Sequence, residues 1–242
     1  ERMNILYASY NEVLYRPLFN GLIFIYSIIP FADLGLAIIL LTVVVRLVLF
    51  PATLRMFRSQ AALRALSPKI KEIQEKYKDQ KDEQARRLMA LYAEAKVNPF
   101  SGCLPILIQL PFLIALYNVF WKGLSPLDTG ALYSFVGAPL EFGATMFGLV
   151  SLTEASITLA ILAGATQLVQ AQLMPQPDPP VVKSNRALQP DLSKILSLQT
   201  KYLFPVLIAV WSFSLPAALP LYWTTMNLLA IVEQIWIKKY FS

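Results

Sequence analysis

Residues 34–54 read LGLAIILLTVVVRLVLFPATL. Across these residues the only charged side chain is Arg46. As an α-helix rising 1.5 Å per residue, the stretch is about 31 Å long. A bilayer core is roughly 30 Å thick and needs about 20 apolar residues to cross it. The stretch therefore predicts a membrane-spanning helix. Four further apolar blocks predict the same: Cys103–Phe120, Ile157–Leu173, Tyr202–Leu215 and Leu219–Ile237. Pro216 and Pro220 bracket the join between the last two blocks and read as a sharp turn between neighbouring helices. Pro105 and Pro111 fall inside the second block, where a bent helix is expected because neighbouring groups can satisfy the freed carbonyl.

Composition agrees. Of the 242 residues 56% are hydrophobic and 15% charged, with a mean hydropathy of +0.53. A soluble domain carries about 25% charged residues. There is one cysteine, Cys103, and no histidine, so no internal disulfide, Cys/His metal site or Ser-His-Asp triad is expected. No Gly-rich phosphate loop and no convincing carboxylate pair occurs, so neither enzyme chemistry nor a cofactor is expected. The chain opens Glu1-Arg2-Met3, which does not read as a translation start or a cleaved signal, and sequence upstream of it is expected.

Basic residues give the orientation. Arg55 to Lys96 contains eleven Lys/Arg, Lys183 to Lys201 four, and Lys238-Lys239 two more, all on one side if the five blocks alternate. The other side receives Arg2, Arg16 and Lys122. The positive-inside rule puts the C-terminus in the cytoplasm and the N-terminus of this chain outside. The net charge of +6 makes anionic phospholipids the first candidate partners.

Asn4 to Ile29 is apolar but interrupted by Asn11, Glu12, Arg16 and Asn20, with Leu14, Leu18, Leu22 and Ile25 on one helical face. It reads as an external interfacial helix; the alternative, a sixth span from Pro17 to Pro30, has only about 14 residues against the ~20 required. Residues 57–98 alternate charges with two apolar stripes, Ile70, Ile73, Tyr77 and Leu88, Leu91, Tyr92, and predict a cytoplasmic helical hairpin. Pro68 is placed to open its first arm and Asp82 to cap its second. The expected division is an external helix over 1–30, spans over 31–56, 99–122, 155–174, 201–217 and 218–242 (the last including a short tail), the hairpin over 57–98, an external loop over 123–154 and a cytoplasmic loop over 175–200.

Arg46 is the most informative residue. An arginine at the bilayer midplane costs about 2.5–3.5 kcal/mol on insertion scales. Three arrangements relieve that cost. The side chain can snorkel to the inner headgroups. It can pair with Glu233, the only acid within the last four spans, although Glu233 lies close to the cytoplasmic end beside Lys238 and the depths match imperfectly. Or it can sit in a hydrated recess open to the cytoplasm, which Thr42 one turn away, Gln109, Gln167, Gln170 and Asn227 favour, although a lone Gln in a span is often helix–helix glue. A positive recess would attract an acidic or polar tail on a hydrophobic segment and shorten its apolar path. A solute transporter would need polar residues in the outer halves of several spans and an inverted repeat, neither of which is seen; a scaffold for membrane partners is a third class of reading.

The same residues carry a family resemblance. Leu41-Thr42-Val43-Val44-Val45-Arg46 with Phe50-Pro51, then Asn98-Pro99-Phe100-Ser101-Gly102-Cys103-Leu104-Pro105 with Gln109-Leu110-Pro111 and Ala115-Leu116-Tyr117, then Leu219-Pro220-Leu221-Tyr222-Trp223 with Asn227-Leu228, occur in this order and at fitting intervals. From about residue 10 onward the chain resembles the YidC/Oxa1/Alb3 family of membrane protein insertases, in its bacterial form. The resemblance implies an all-α membrane protein with five transmembrane helices around a hydrophilic groove, a cytoplasmic hairpin and an N-terminal interfacial helix, in the bacterial cytoplasmic membrane. It implies that Arg46 is the groove arginine with Thr42 beside it, that Gln167 or Gln170 is the polar groove residue of span three, and that Tyr222 or Trp223 is the aromatic substrate contact of span five. Nascent membrane proteins with short external segments, the Sec translocon and ribosomes are the implied partners. No large external domain stands ahead of the first span within these residues, unlike in many Gram-negative members; it either precedes residue 1 or is absent, and the short tail weakens the expectation of ribosome binding.

Overall fold

The computed structural model describes residues 7–29, 32–98, 104–124, 127–139, 142–173 and 199–241. Of the sequence readings, residues 99–103 with Cys103, and residues 175–198 of the expected cytoplasmic loop, lie outside them.

A π-helical turn, Asn11–Tyr15, leads into α1, Arg16–Ile28. The second helix, α2, spans Leu34–Ala65. Asp33 caps it: its Oδ1 accepts from the Leu36 N–H at 2.7 Å, meeting one of the donors that a helix start leaves unbonded. Pro51 removes one backbone donor, yet the helix runs on through it, with Thr53 Oγ1 donating to the Leu49 carbonyl. At 32 residues α2 is about 48 Å long, well beyond the ~30 Å of a bilayer core. Among the described residues it is the one helix long and apolar enough to cross a membrane on length and composition together. The first arm expected from residue 57 therefore belongs, up to Ala65, to the end of this long helix.

The short helix α3, Ser67–Lys76, opens with Pro68 in its first turn as its fixed φ allows. α4, Lys81–Glu94, follows after a turn and packs on α3, with Gln84 Nε2 donating to the Gln74 carbonyl at 2.9 Å. Asp82 does not cap α4. Gln80 holds the cap position with no side-chain bond, and Asp82 with Glu83 lies in the first turn, where the helix dipole favours negative charge.

α5, Leu104–Asn118, continues unbroken past Pro111 into a π-helical turn, Val119–Gly123. α6 is Ile157–Leu173. α7, Phe204–Ser212, is preceded by a π-helical turn, Gln199–Leu203, so that block is helical from before Tyr202. α8 is Ala218–Phe241. α8 packs on both α6 and α2, α6 on α7, and α1 on α2. At the α6–α7 crossing a Cβ on Gly164 would stand 2.6 Å from the Ala209 Cβ, so the helices approach as only small residues permit.

The core is gathered at one end. Leu34, Ala37, Ile38 and Leu41 of α2, Ala115, Leu116 and Val119 at the end of α5, Leu159 and Ala163 of α6, and Leu219 to Trp223 of α8 are buried together with Leu18, Phe19, Leu22, Ile23 and Tyr26 of α1. A loop closes that end. Its two short antiparallel strands, β1 (Thr145–Met146) and β2 (Val150–Ser151), pair Thr145 with Ser151 and Met146 with Val150. Asp33 Oδ2 accepts from the Phe147 N–H, and a side chain on Gly35 would run into Met146, so the strand turn sits directly on the first turn of α2. The Ala218 N–H donates to the Leu152 carbonyl at 3.1 Å and the Ala217 N–H to Glu154 at 2.7 Å, which ties the start of α8 to the same loop. α1 is bound to it by Asn20, whose Nδ2 donates to Ala131 O at 2.9 Å and whose Oδ1 accepts from Tyr133 N at 2.6 Å. Tyr15 donates to Asp128 at 3.3 Å. Burial, reinforced by the Asp128 carboxylate, pushes the Tyr15 hydroxyl up to about 12, so it stays a donor at physiological pH.

Because Asp33 serves both the α2 start and the loop, Asp33→Ala should lower stability by more than a single lost cap, which is about 1 kcal/mol. Asp33→Asn, which keeps the acceptor facing Leu36, should fall between. Thermal unfolding in detergent measures both; equal midpoints for the two variants and the parent would contradict this role.

Candidate functional site

Packing on α2 changes at Thr42. From Leu34 to Thr42 the helix is mostly buried; beyond it Val44, Leu47 and Val48 are half or more exposed. The other helices carry similar apolar exposure, with Val206, Leu207 and Val210 on α7, Ile161 and Val169 on α6, and Val232 and Ile235 on α8. So much uncovered aliphatic surface on several helices is what a lipid environment would cover.

Arg46 stands just past this change. Its Nη2 lies 3.5 Å from Glu233 Oε2 on α8, and the two side chains retain only 15% and 14% of their exposure. The unpartnered guanidinium in a wet recess, which the polar residues of the spans favoured, is thus corrected: Arg46 is paired with an acid. The reason is depth. Arg46 is twelve residues past the start of α2 and Glu233 fifteen past the start of α8, about 18 and 22 Å along the axes. The loop binds both helix starts at one level, so the residual offset is only a few ångströms, which two long side chains span.

The pair is incomplete. An arginine fork matches a carboxylate best with two parallel N–H···O bonds of about 2.7–2.9 Å. Here one long contact is made, and among the described residues Arg46 Nε and Glu233 Oε2 are both buried without a hydrogen bond. Both amide atoms of Gln234, the next residue on α8, are likewise buried and unbonded.

The remaining candidates divide. Thr42 is buried and turned onto its own helix, its Oγ1 donating to the Ile38 carbonyl at 2.6 Å. It borders a narrow cavity of about 10 Å³ between α1, α2, α5 and α8, lined also by Leu18, Leu41, Val45, Phe112 and Tyr222. Gln109 Nε2 donates to the Tyr222 hydroxyl at 2.9 Å and joins α5 to α8. Trp223 is buried in the core. Gln167 and Gln170 bond each other on α6 at 3.2 Å, not Arg46. Asn227 is helix–helix glue, its Nδ2 donating to Thr166 Oγ1 at 3.2 Å. Structure therefore brings together Arg46 with Glu233 and Gln109 with Tyr222, and leaves the α6 glutamines as a pair of their own. Glu233 was visible in the sequence as the lone acid of the late spans; the level at which α8 begins was not.

Comparison with known proteins follows this geometry. The profile of the 60Kd inner membrane protein family matches residues 24–242. A membrane protein insertase YidC of Fusobacterium nucleatum is 32% identical over 207 residues, 86% of this chain and 87% of its own length. One from Actinobacillus pleuropneumoniae serotype 3 is 35% identical over 90% of this chain but 35% of its own length. The crystal structure of an active YidC insertase with its first transmembrane domain resolved is similar at a TM-score of 0.57 and 27% identity, over 94% of this chain and 47% of that one. This chain thus spans most of the Fusobacterium relative and about a third of the Actinobacillus one.

The Gln109–Tyr222 bond gives a direct test of how α5 is held. Tyr222→Phe and Gln109→Leu should each destabilise the protein, and the double variant should cost less than their sum by about 1 kcal/mol, the net worth of such a bond. A double-mutant cycle on detergent unfolding that comes out additive would show the contact to be idle.

Proposed function

Because this chain belongs to the 60Kd inner membrane protein family, that of the YidC/Oxa1/Alb3 insertases, we propose that in a bacterial inner membrane it receives hydrophobic segments of nascent proteins and releases them into the bilayer, without bond chemistry. The observation that carries the reading is the family match over residues 24–242; a bundle core packed at one end, with a buried arginine–glutamate pair beyond it, supports it.

In this reading five helices, α2, α5, α6, α7 with its preceding turn, and α8, cross the membrane. The packed end with its loop and α1 faces outside, and α3–α4 form a cytoplasmic hairpin. That orientation follows from the basic residues, which crowd the α2 end, α3, α4 and the α8 tail. The groove would lie in the inner half of the bundle, with Arg46 and Thr42 on one wall, Gln109, Tyr222 and Trp223 about its closed end, and Gln167 and Gln170 on α6. A polar tail attached to a hydrophobic segment resists crossing because it must leave water for ~30 Å of hydrocarbon. A polar site halfway along shortens that passage, while the greasy flank slides into lipid past the exposed aliphatic faces of α2 and α6.

Clients would be single- or double-span proteins with short external segments, since only a short tail fits a half-depth site. Work beside the Sec translocon is proposed from the relatives' kind. The basic α3–α4 unit would meet anionic headgroups or ribosomal RNA, the second weakly, through salt-sensitive contacts.

Reconstituted in liposomes, the protein should increase the protease-protected fraction of a short-tailed single-span substrate; yields no better than empty liposomes would overturn the assignment. Arg46→Ala should lose most of that gain, roughly tenfold, because it also strands Glu233. Arg46→Lys should keep much of it. Full activity in both would show that the charge is dispensable.

A further inference from the structure

We propose that Glu233 is an internal competitor of substrate carboxylates for Arg46, and so sets which segments the site accepts. This rests on the insertase reading, in which Arg46 draws an acidic tail, and adds to it a resident carboxylate that the incoming one must displace.

Glu233 reaches only Nη2, at 3.5 Å, and leaves the Nε–H arm of Arg46 buried and unbonded. An incoming carboxylate can take Nε and one Nη together at charge-assisted distances, a better match than the resting contact. Exchange has a second advantage. A buried guanidinium stripped of its partner is strongly unfavourable, whereas trading one carboxylate for another never leaves it bare. The displaced Glu233 sits two thirds of the way along α8, five residues before the exposed Lys238 and Lys239 of the helix's last turn. An unbonded buried amide, Gln234, stands next to it and can take up polar atoms of the same segment.

A neutral polar tail offers no such exchange. It would have to insert beside an ion pair without replacing either member, leaving the resting contact in possession of Arg46. The site is thereby biased against tails that are merely polar and towards those bearing a carboxylate. When the segment passes into lipid, the tethered Glu233 reclaims Arg46 and resets the site. The same geometry explains why a lone arginine is tolerated at mid-helix: its resting charge is balanced, and only an acid of equal charge opens it.

The experiment uses the full chain in phosphatidylethanolamine–phosphatidylglycerol vesicles. The probes are one single-span nascent chain with two Asp in its external tail, the same chain with two Asn, and the same with two Lys. Readouts are protease-protected insertion and photocrosslinking from the tail to the protein. The parent protein should favour the Asp tail. Glu233→Gln should raise crosslinking of the Asp tail relative to the Asn tail by roughly fivefold or more, the low end of coupling between two ligands of one site. The charge-exchanged pair R46E/E233R keeps a partner for each charge and should prefer the Lys tail. If the parent protein inserts none of the tails, the insertase reading itself fails. If it inserts them but Glu233→Gln leaves the Asp-to-Asn ratio unchanged, or the exchanged pair still prefers Asp, Glu233 is not the competitor and this inference is overturned. Should Glu233→Gln fail to fold, the exchanged pair alone decides.

Discussion

A guanidinium buried midway along an apolar helix cannot stay bare, and the rest of the molecule is arranged around that constraint. Arg46 needs a partner at its own depth, and the partner comes from α8, far along the chain. Their meeting requires α2 and α8 to begin at one level. That level is set by hydrogen bonds from the closing loop: Asp33 to Phe147 on α2, and Ala217 and Ala218 to Glu154 and Leu152 on α8. The closed end thus fixes the register, and the ion pair some 20 Å along the helices from it is a consequence.

The two ends of the bundle are held by different forces. At the closed end, backbone bonds, a short β-ribbon and a continuous aliphatic core interlock. From the edge of that core onward the described helices are joined by side-chain contacts: Gln109 to Tyr222, Asn227 to Thr166, Arg46 to Glu233. Contacts of that kind are worth about 1 kcal/mol each, and another polar group can replace either partner. A structure that must admit a foreign helix and let it go would be expected to put its permanent bonds where the client never reaches.

Much of this was legible in the sequence, and the reason differs from one element to the next. Spans could be placed because lipid demands long apolar runs, and α2, α6 and α8 begin where their hydropathy does. α2 outran its reading because residues 55–65 carry three arginines yet remain helical: with no Gly and no Pro after Pro51, nothing there stops a helix. Asp82 looked like a cap because it precedes an apolar stripe; the cap falls two residues earlier, at Gln80, and the same carboxylate serves the helix dipole instead. Arg46 stood out as a lone charge. Its pairing did not, because the relative height of two helices is fixed by a loop whose strands are two residues long and leave no periodic trace. Trp223 shows the converse: its type and place suggest a contact surface, but burial in the core makes it part of the closed end.

Balancing the charge also bears on how such a site can be strong and still let go. A free arginine in a hydrocarbon surround would hold any carboxylate tightly, and release would then limit turnover. An internal acid lowers that grip at the moment of departure, because it is already present at high effective concentration on α8. It lowers affinity and residence together, and in return the site never has to expose an unpaired charge to lipid. An arrangement with the pair fully formed, two short bonds at both arms of the fork, would be more stable and would admit nothing. The single 3.5 Å contact with an unbonded Nε lies between those extremes: close enough to neutralise Arg46 at rest, and open enough that an arriving carboxylate meets a donor still in want of an acceptor.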